Sequence, residues 1–387
     1  MIASMKLIPL RASALLPILI SLTVVAGCST LAKKNNSGVV VARRAEIRSS
    51  TAVVAAKLKE VNRGDEVEIL DSTDVIDPTD NSRKERWLRV KAQDEESTEG
   101  WIESRNVMPH EVYESARKLA AEDKAIPSQA TGQLRASSNL RLTPDRSGNE
   151  NIIMRLDSGS SFEITGWKRV PKPKSSETIE TDVAPKAGSA PQSNARSGKA
   201  NPDEDKEPEE QNELWYKVRL SADISPAPAG WIYGKQVELS VPSDIIFYRT
   251  GREFVAWQRL DGDSSNSADS ASKSKDAAKE ARPGSWVILE KSSSDQPHTV
   301  DEPDFDRIYV LGYDKRDQEH YTAYRSPDLK GYLPCRVEGS GDNKSFVIRV
   351  QDEDGQVKEM QYGLYKDGRG YLKVTPPSAP SKDKKRK

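Results

Sequence analysis

Apolar and polar residues alternate in many short segments of the chain, and a period of two is the signature of a half-buried β-strand. Residues 66–69 read Glu-Val-Glu-Ile, and residues 161–164 read Ser-Phe-Glu-Ile. A similar run at 346–350 is followed by the turn residues Asp354-Gly355. The pattern predicts an all-β protein built from short antiparallel strands.

Four sequence blocks occur twice in the same order, which indicates an internal repeat. The blocks lie at 45–48, 64–69, 87–90 and 100–102 in the first copy, and at 138–141, 159–164, 215–218 and 230–232 in the second. The first copy covers residues 39–109 and the second covers residues 132–240. Each copy is predicted to close into a small antiparallel barrel.

This block order resembles the bacterial Src-homology-3-like (SH3b) domain. That pattern has a short Asn-x-Arg opening, a Gly before an alternating strand, a Trp-Tyr-Lys-Val strand and a closing Gly-Trp-Ile/Val strand. The second copy matches it closely, because residues 139–141 read Asn-Leu-Arg and residues 215–218 read Trp-Tyr-Lys-Val. The first copy has Glu-Ile-Arg at 46–48 and lacks an aromatic residue after Trp87. The resemblance implies two SH3-like barrels.

A third region, residues 243–375, contains nine of the twelve Tyr residues and further alternating runs. It is predicted to be an antiparallel barrel or sandwich of about eight strands. Residues 111–124, which lie between the two copies, place Val112, Ala116 and Leu119 at helical spacing. They are predicted to form a short connecting helix, with a frayed linker as the alternative.

Four tracts are rich in Gly, Pro, Ser and charged residues and lack the apolar periodicity that a core requires. They are residues 29–38, 171–213, 262–284 and 376–387. We expect them to be disordered, with 171–213 inserted in the second copy and 262–284 inserted in the third region. The basic tail at 376–387 is expected to be solvated, although its charge would also suit anionic lipid or wall polymer.

The first 27 residues have the layout of an export signal, with Lys6 and Arg11 before an apolar run of about a dozen residues. The run is interrupted by Pro17 and is short for a spanning helix. Residues 25–28 read Val-Ala-Gly-Cys, which resembles the lipobox of bacterial lipoprotein precursors. The resemblance implies cleavage before Cys28, lipid attachment to its thiol, and a cell-membrane or outer-membrane protein that faces the periplasm or the exterior. An uncleaved anchor or an ordinary secretory signal is the alternative.

Composition narrows the functional classes. The 387 residues are 35% hydrophobic and 31% charged, which fits several small domains on polar linkers. Removing residues 1–27, with their Lys6 and Arg11, changes the formal net charge from −1 to −3, so no overall field favours nucleic acid. Three scattered His and few Cys predict no metal site and no cofactor.

Cys335 is the residue on which an enzyme would depend. With Cys28 lipidated it has no disulfide partner, and all three His precede it in the sequence. A papain-like peptidase places its His after a Cys at a helix N-terminus. A transpeptidase of the L,D type has His-Gly before Cys-Arg, where this chain has Leu333-Pro334. The sequence therefore predicts a protein that is not an enzyme, with a Cys335-dependent wall hydrolase or transpeptidase as the alternative.

Four tryptophans are the candidate ligand contacts: Trp87, Trp101, Trp215 and Trp231. Strand alternation places Trp215 opposite Val218, and Trp87 opposite Val90, so both are expected to lie toward solvent unless they cap a barrel end. The predicted function is non-enzymatic binding or scaffolding, with peptidoglycan or an envelope protein as the partner. A carrier or docking role for the third region is a further alternative.

Overall fold

The computed structural model describes residues 36–52, 54–77, 80–173, 211–261, 283–294, 296–341 and 343–377. These residues form twenty-two β-strands and one α-helix, so the predicted all-β fold class is confirmed. The chain divides between Glu114 and Ser115 into two compact units. The predicted export signal (residues 1–27) and Cys28 lie outside the described ranges.

The first unit contains one antiparallel sheet of seven strands. They are β1 (Ser37–Val40), β2 (Arg44–Arg48), β3 (Lys57–Asn62), β4 (Glu66–Asp77), β5 (Asp80–Ala92), β6 (Glu99–Glu103) and β7 (Val107–Pro109). Their order in the sheet is β3-β2-β6-β5-β4-β1-β7. The sheet folds around the fully buried Val40, Ile47, Val67 and Val90, which come from four of the strands.

The helix α1 runs from His110 to Glu122 and contains the fully buried Ala116. It overlaps the segment 111–124 and ends two residues before it. No helix in the described ranges is long and apolar enough to cross a membrane.

The second unit begins its β structure with seven strands in the same arrangement. They are β8 (Ala130–Leu134), β9 (Ser138–Arg141), β10 (Ile152–Leu156), β11 (Ser161–Pro171), β12 (Asn212–Arg219), β13 (Ala229–Tyr233) and β14 (Val237–Leu239). Their order is β10-β9-β13-β12-β11-β8-β14, which is the order of the first sheet strand for strand. We call the two sheets the first repeat (37–109) and the second repeat (130–239).

The polar tracts are shorter than the sequence indicated. Strand β11 pairs with β12 as far as Pro171 and Asn212, so the insertion 171–213 was drawn too wide at both ends. Glu213 is part of β12, where it is paired with Val170, and its carboxylate is buried against Arg146. Likewise β1 begins at Ser37, and Gly284 donates its N–H to Asp244. Residues 174–210, 262–282 and 378–387, which hold the rest of these tracts, lie outside the described part of the chain.

The third region is formed by eight strands in two antiparallel sheets of four, as expected from the sequence. One sheet contains β15 (Arg252–Arg259), β16 (Trp286–Ser292), β17 (Arg307–Asp314) and β18 (Glu319–Arg325) in that order. The other contains β19 (Gly331–Glu338), β20 (Lys344–Gln351), β21 (Val357–Lys366) and β22 (Leu372–Thr375). Both sheets are curled, and their buried side chains, such as Val310 and Phe346, form one common core.

The second repeat is joined to the third region by specific hydrogen bonds. The Gln129 side chain donates to the Cys335 carbonyl at 3.0 Å and accepts the Cys335 N–H at 2.7 Å. The Trp167 indole N–H donates to Asp304 at 2.7 Å. A buried peptide group needs hydrogen-bond partners. The fully buried Gln129 side chain therefore provides the donor and the acceptor for Cys335 that a neighbouring strand would otherwise provide.

Candidate binding site

The structure places the four candidate tryptophans in two classes. Trp215 is 0% exposed and Trp87 is 5% exposed, whereas Trp101 and Trp231 are half-buried. The expectation that Trp215 and Trp87 lie toward solvent is therefore wrong. The four side chains nevertheless belong to equivalent positions on equivalent strands, β5 and β12 for the first pair and β6 and β13 for the second.

Strand register brings the two tryptophans of the first repeat to one face. Trp87 is paired with Glu103, and Trp101 is paired with Arg89, across β5 and β6. Directly opposed residues and residues two apart on a strand share a face, so Trp87 and Trp101 are diagonal neighbours. Arg48 of β2 is paired with Trp101 from the other side.

The second repeat has the same arrangement with different neighbours. Trp215 is paired with Tyr233, and Trp231 is paired with Lys217, whose ammonium lies 6.0 Å from the Trp231 ring centre. Arg141 takes the place of Arg48 beside Trp231. Each repeat thus presents two tryptophans and two cationic side chains on one sheet face.

A buried ion pair lies on this face of the second repeat, beside the ring that contacts Trp215. The Arg146 guanidinium makes a bidentate contact with Glu213, with distances of 2.5 to 3.1 Å, and its carbon lies 4.7 Å from the Tyr233 ring centre. Tyr233 in turn contacts Trp215, with ring centres 5.6 Å apart. Alternation along β12 correctly assigned Trp215 to the face opposite Val218. No local sequence pattern indicates that Arg146, between β9 and β10, pairs with Glu213 on that face.

The equivalent face of the first repeat carries a pocket, although Trp87 itself is largely buried. Trp87 lines a pocket of about 380 Å³, which is within the size range of small ligand sites. The other lining residues are Arg44, Ala45, Glu46, Arg48, Glu60, Glu103 and Asn106. The pocket therefore combines an indole ring with two guanidinium groups and three carboxylates.

The charged groups of this pocket are paired with one another. Arg48 contacts Glu46 at 3.1 Å, and Arg44 lies 3.8 Å from Glu60. Lys57 donates a hydrogen bond to Glu60 at 2.7 Å, and this bond holds the pKa of the Glu60 carboxyl below its usual value. All the carboxylates are partly exposed, and exposed ion pairs contribute little free energy. A ligand with charges of both signs can therefore replace these pairs with its own contacts at a small cost in free energy.

Sequence reasoning found Trp87 but missed the five charged residues around it. Glu46 and Arg48 stand out in the sequence only as part of the first repeated block, and Arg44, Glu60 and Glu103 carry no motif. One signal was available, because an Arg closes the first block of both copies, at Arg48 and at Arg141. A charge that recurs at the same repeat position indicates a shared structural or binding role.

Cys335 is poorly suited to nucleophilic catalysis. Its side chain is buried in the core of the third region beside Leu333 and Phe346, and burial raises the pKa of its thiol to about 12. A nucleophilic cysteine needs access and a stabilised thiolate, and this site provides neither. Among the described residues no group of three or more His, Cys, Asp and Glu side chains could hold a metal ion.

Comparison with known proteins adds little. No family model matches the chain, and no curated protein shows significant similarity to it. An NlpC/P60 family protein from Bacillus cereus aligns with 89% of this chain and 95% of its own at 8% identity, with a TM-score of 0.18. NlpC2 from Trichomonas vaginalis aligns with 88% of this chain and 92% of its own at 9% identity, with a TM-score of 0.15. TM-scores this low carry no argument about fold or function.

Proposed function

We propose that this protein is a lipid-anchored envelope lipoprotein that binds peptidoglycan without modifying it, through SH3-like modules formed by the two repeats. Two features support the SH3-like assignment. The sequence blocks follow the SH3b order, and the two sheets have one strand order in common. The buried Cys335 thiol supports a binding role over a catalytic one.

The observation that carries the binding proposal is the charged pocket of the first repeat that Trp87 lines. Peptidoglycan stem peptides are short and carry both amino and carboxylate groups. Arg44 and Arg48 would pair with the carboxylates, the three Glu side chains with the amine, and the Trp87 ring would contact aliphatic atoms. The equivalent face of the second repeat carries the buried Arg146–Glu213 pair, so we assign binding to the first repeat.

The anchor is tested by replacing Cys28. In cells fed labelled palmitate, we expect the wild-type chain to incorporate label and Cys28→Ala to incorporate none, because the thiol is the acceptor of the diacylglycerol. A Ser29→Ala variant is the matched control and should be labelled normally. Label retained by Cys28→Ala would refute the lipoprotein assignment.

The pocket is tested with the full chain and purified sacculi. The double variant Arg44→Gln/Glu60→Gln should lower the affinity for sacculi about tenfold, because a hydrogen bond to a charged group contributes about 1.5–3 kcal/mol and tenfold corresponds to about 1.4 kcal/mol. The measurement is a co-sedimentation isotherm. Circular dichroism of the variant should match the wild type, because both side chains are largely exposed.

A second exposed ion pair in the same sheet provides the control. Arg86 and Asp74 are 3.5 Å apart and lie outside the pocket. Arg86→Gln/Asp74→Asn changes the same charges and should leave sacculus binding unchanged. Equal losses in the two double variants would show that binding depends on general surface charge and would remove the pocket from the proposal.

A further inference from the structure

The third region contains a large open groove that the proposed peptidoglycan pocket does not involve. Its volume is about 920 Å³, and it lies where the β17–β18 turn, the β21–β22 turn and the start of β20 meet. Four tyrosines line it: Tyr313, Tyr321, Tyr365 and Tyr371. Tyr365 is 49% exposed, so its ring is not used up in packing and is available to a ligand.

Two of these rings are held in fixed positions. Tyr321 and Tyr371 meet edge to face with ring centres 5.0 Å apart. The Tyr321 hydroxyl accepts the Leu372 N–H at 2.5 Å, and Tyr371 is hydrogen-bonded to Asp314. The Tyr321 ring also packs directly on Gly312. A Cβ atom on residue 312 would be only 2.3 Å from the Tyr321 Cζ, so a larger residue would displace the ring. A ligand would therefore meet aromatic surfaces that are already ordered, which lowers the entropic cost of binding.

Cationic side chains surround the rings. Lys315, Arg316, Lys366 and Arg369 line the groove and are exposed. Within the described ranges none of these four forms an ion pair. Lys344 also lines the groove and donates to the Leu260 carbonyl at 3.0 Å. The groove thus offers several charged donors that are free to contact an anion.

Two carboxylates, Asp261 and Asp314, share the groove. Asp261 accepts the Ser285 N–H, and Asp314 accepts the Arg316 N–H at 2.8 Å, which leaves further acceptor positions on each carboxylate. Sugar hydroxyl groups can donate to such acceptors, whereas the deoxyribose units within a DNA strand have no free hydroxyl to offer them. Tyrosine rings also suit the C–H faces of sugar rings, because they combine an apolar body with a polar edge.

We propose that this groove binds an anionic polysaccharide, a sugar polymer that carries carboxylate or phosphate groups. The tyrosines contact the sugar rings, the lysines and arginines contact the anionic groups, and Asp261 and Asp314 accept sugar hydroxyls. The site is separate from the Trp87 pocket and takes a different chemical class of ligand.

The test uses calorimetric titration of the full chain in mild detergent with defined probes. An alginate tetrasaccharide presents carboxylates, and lipid-free teichoic acid presents phosphates. We expect at least one of these probes to bind. The affinity should fall about tenfold when the salt concentration is raised from about 50 to about 500 mM, because salt screens the attraction between the cationic side chains and the anionic probe. The neutral cellotetraose and the oligonucleotide dT8 should bind at least about tenfold more weakly.

Two groove variants and two control variants connect binding to the groove. Lys366→Gln/Arg369→Gln should weaken the affinity about tenfold, and Tyr365→Ala should weaken it although all the charges remain. Lys330→Gln, an exposed cation outside the groove, should have no effect. The first-repeat variant Arg44→Gln/Glu60→Gln should also bind normally, which separates this proposal from the peptidoglycan pocket. Tighter binding of dT8, equal binding of cellotetraose, or an unaffected groove variant would each overturn it.

Discussion

Arg146→Ala should destabilise the second repeat by about 3–5 kcal/mol, because it leaves the Glu213 carboxylate buried without its partner. Both side chains of this pair are less than one-tenth exposed, and three hydrogen-bond contacts join them. The guanidinium also covers Tyr233, so packing is lost together with charge pairing. Hydrogen exchange of peptides that cover β12 and β13, measured by mass spectrometry, reports the effect on this repeat within the full chain.

Two further variants distinguish the buried pair from ordinary surface charge. Arg135 and Glu238 are 4.0 Å apart with both side chains mainly exposed, so Arg135→Ala should change the free energy of unfolding by less than about 1 kcal/mol. The double variant Arg146→Met/Glu213→Leu should be more stable than Arg146→Ala, because no buried charge remains. If the amide protons of β12 and β13 exchange as slowly in Arg146→Ala as in the wild type, the ion pair has no structural role.

Trp215→Ala should cost about 3–5 kcal/mol, as expected for removal of a large side chain from a packed interior. Trp215 is fully buried and contacts Tyr233, and its indole N–H has no acceptor among the described residues. The expected result is earlier unfolding in urea, detected by hydrogen exchange in β12, with ligand binding lost only where the fold is lost.

Trp231→Ala is the matched control for this variant. Trp231 is half-buried, and its main charged neighbour is Lys217, so the expected cost is about 1 kcal/mol. A Trp215→Phe variant should lie between the two, because it keeps a buried ring and removes the unpaired donor. Equal destabilisation by Trp215→Ala and Trp231→Ala would contradict the burial described above.

The sequence predicted the strands because their alternation is local. Residues 66–69 and 161–164 lie on β4 and β11, and the eight strands of the third region were expected from short runs of the same kind. Burial of a strand face depends on distant residues, and here prediction failed. Arg146 and Glu213 pair on the face that carries Trp215 although they are 67 positions apart, and no local period records that contact.

The candidate sites were predictable to different degrees. Trp87 is found from its repeat position and from strand alternation, but alternation does not show that the side chain is buried. The groove of the third region was missed because its tyrosines come from β17, β18, β21 and the turn before β22. Only the sandwich arrangement brings Tyr321 and Tyr371 together across fifty positions.

The hydrogen bonds between Gln129 and Cys335 close a loop of 206 positions, and this loop contains the tracts 174–210 and 262–282. The entropy of closing a loop grows only with the logarithm of its length. Deleting residues 174–210 would therefore change the closure free energy by only about 0.2 kcal/mol. Changes in the length of these two polar tracts should therefore leave the junction between the second repeat and the third region almost unaffected, because the tracts enter its closure only through the logarithm of the loop length.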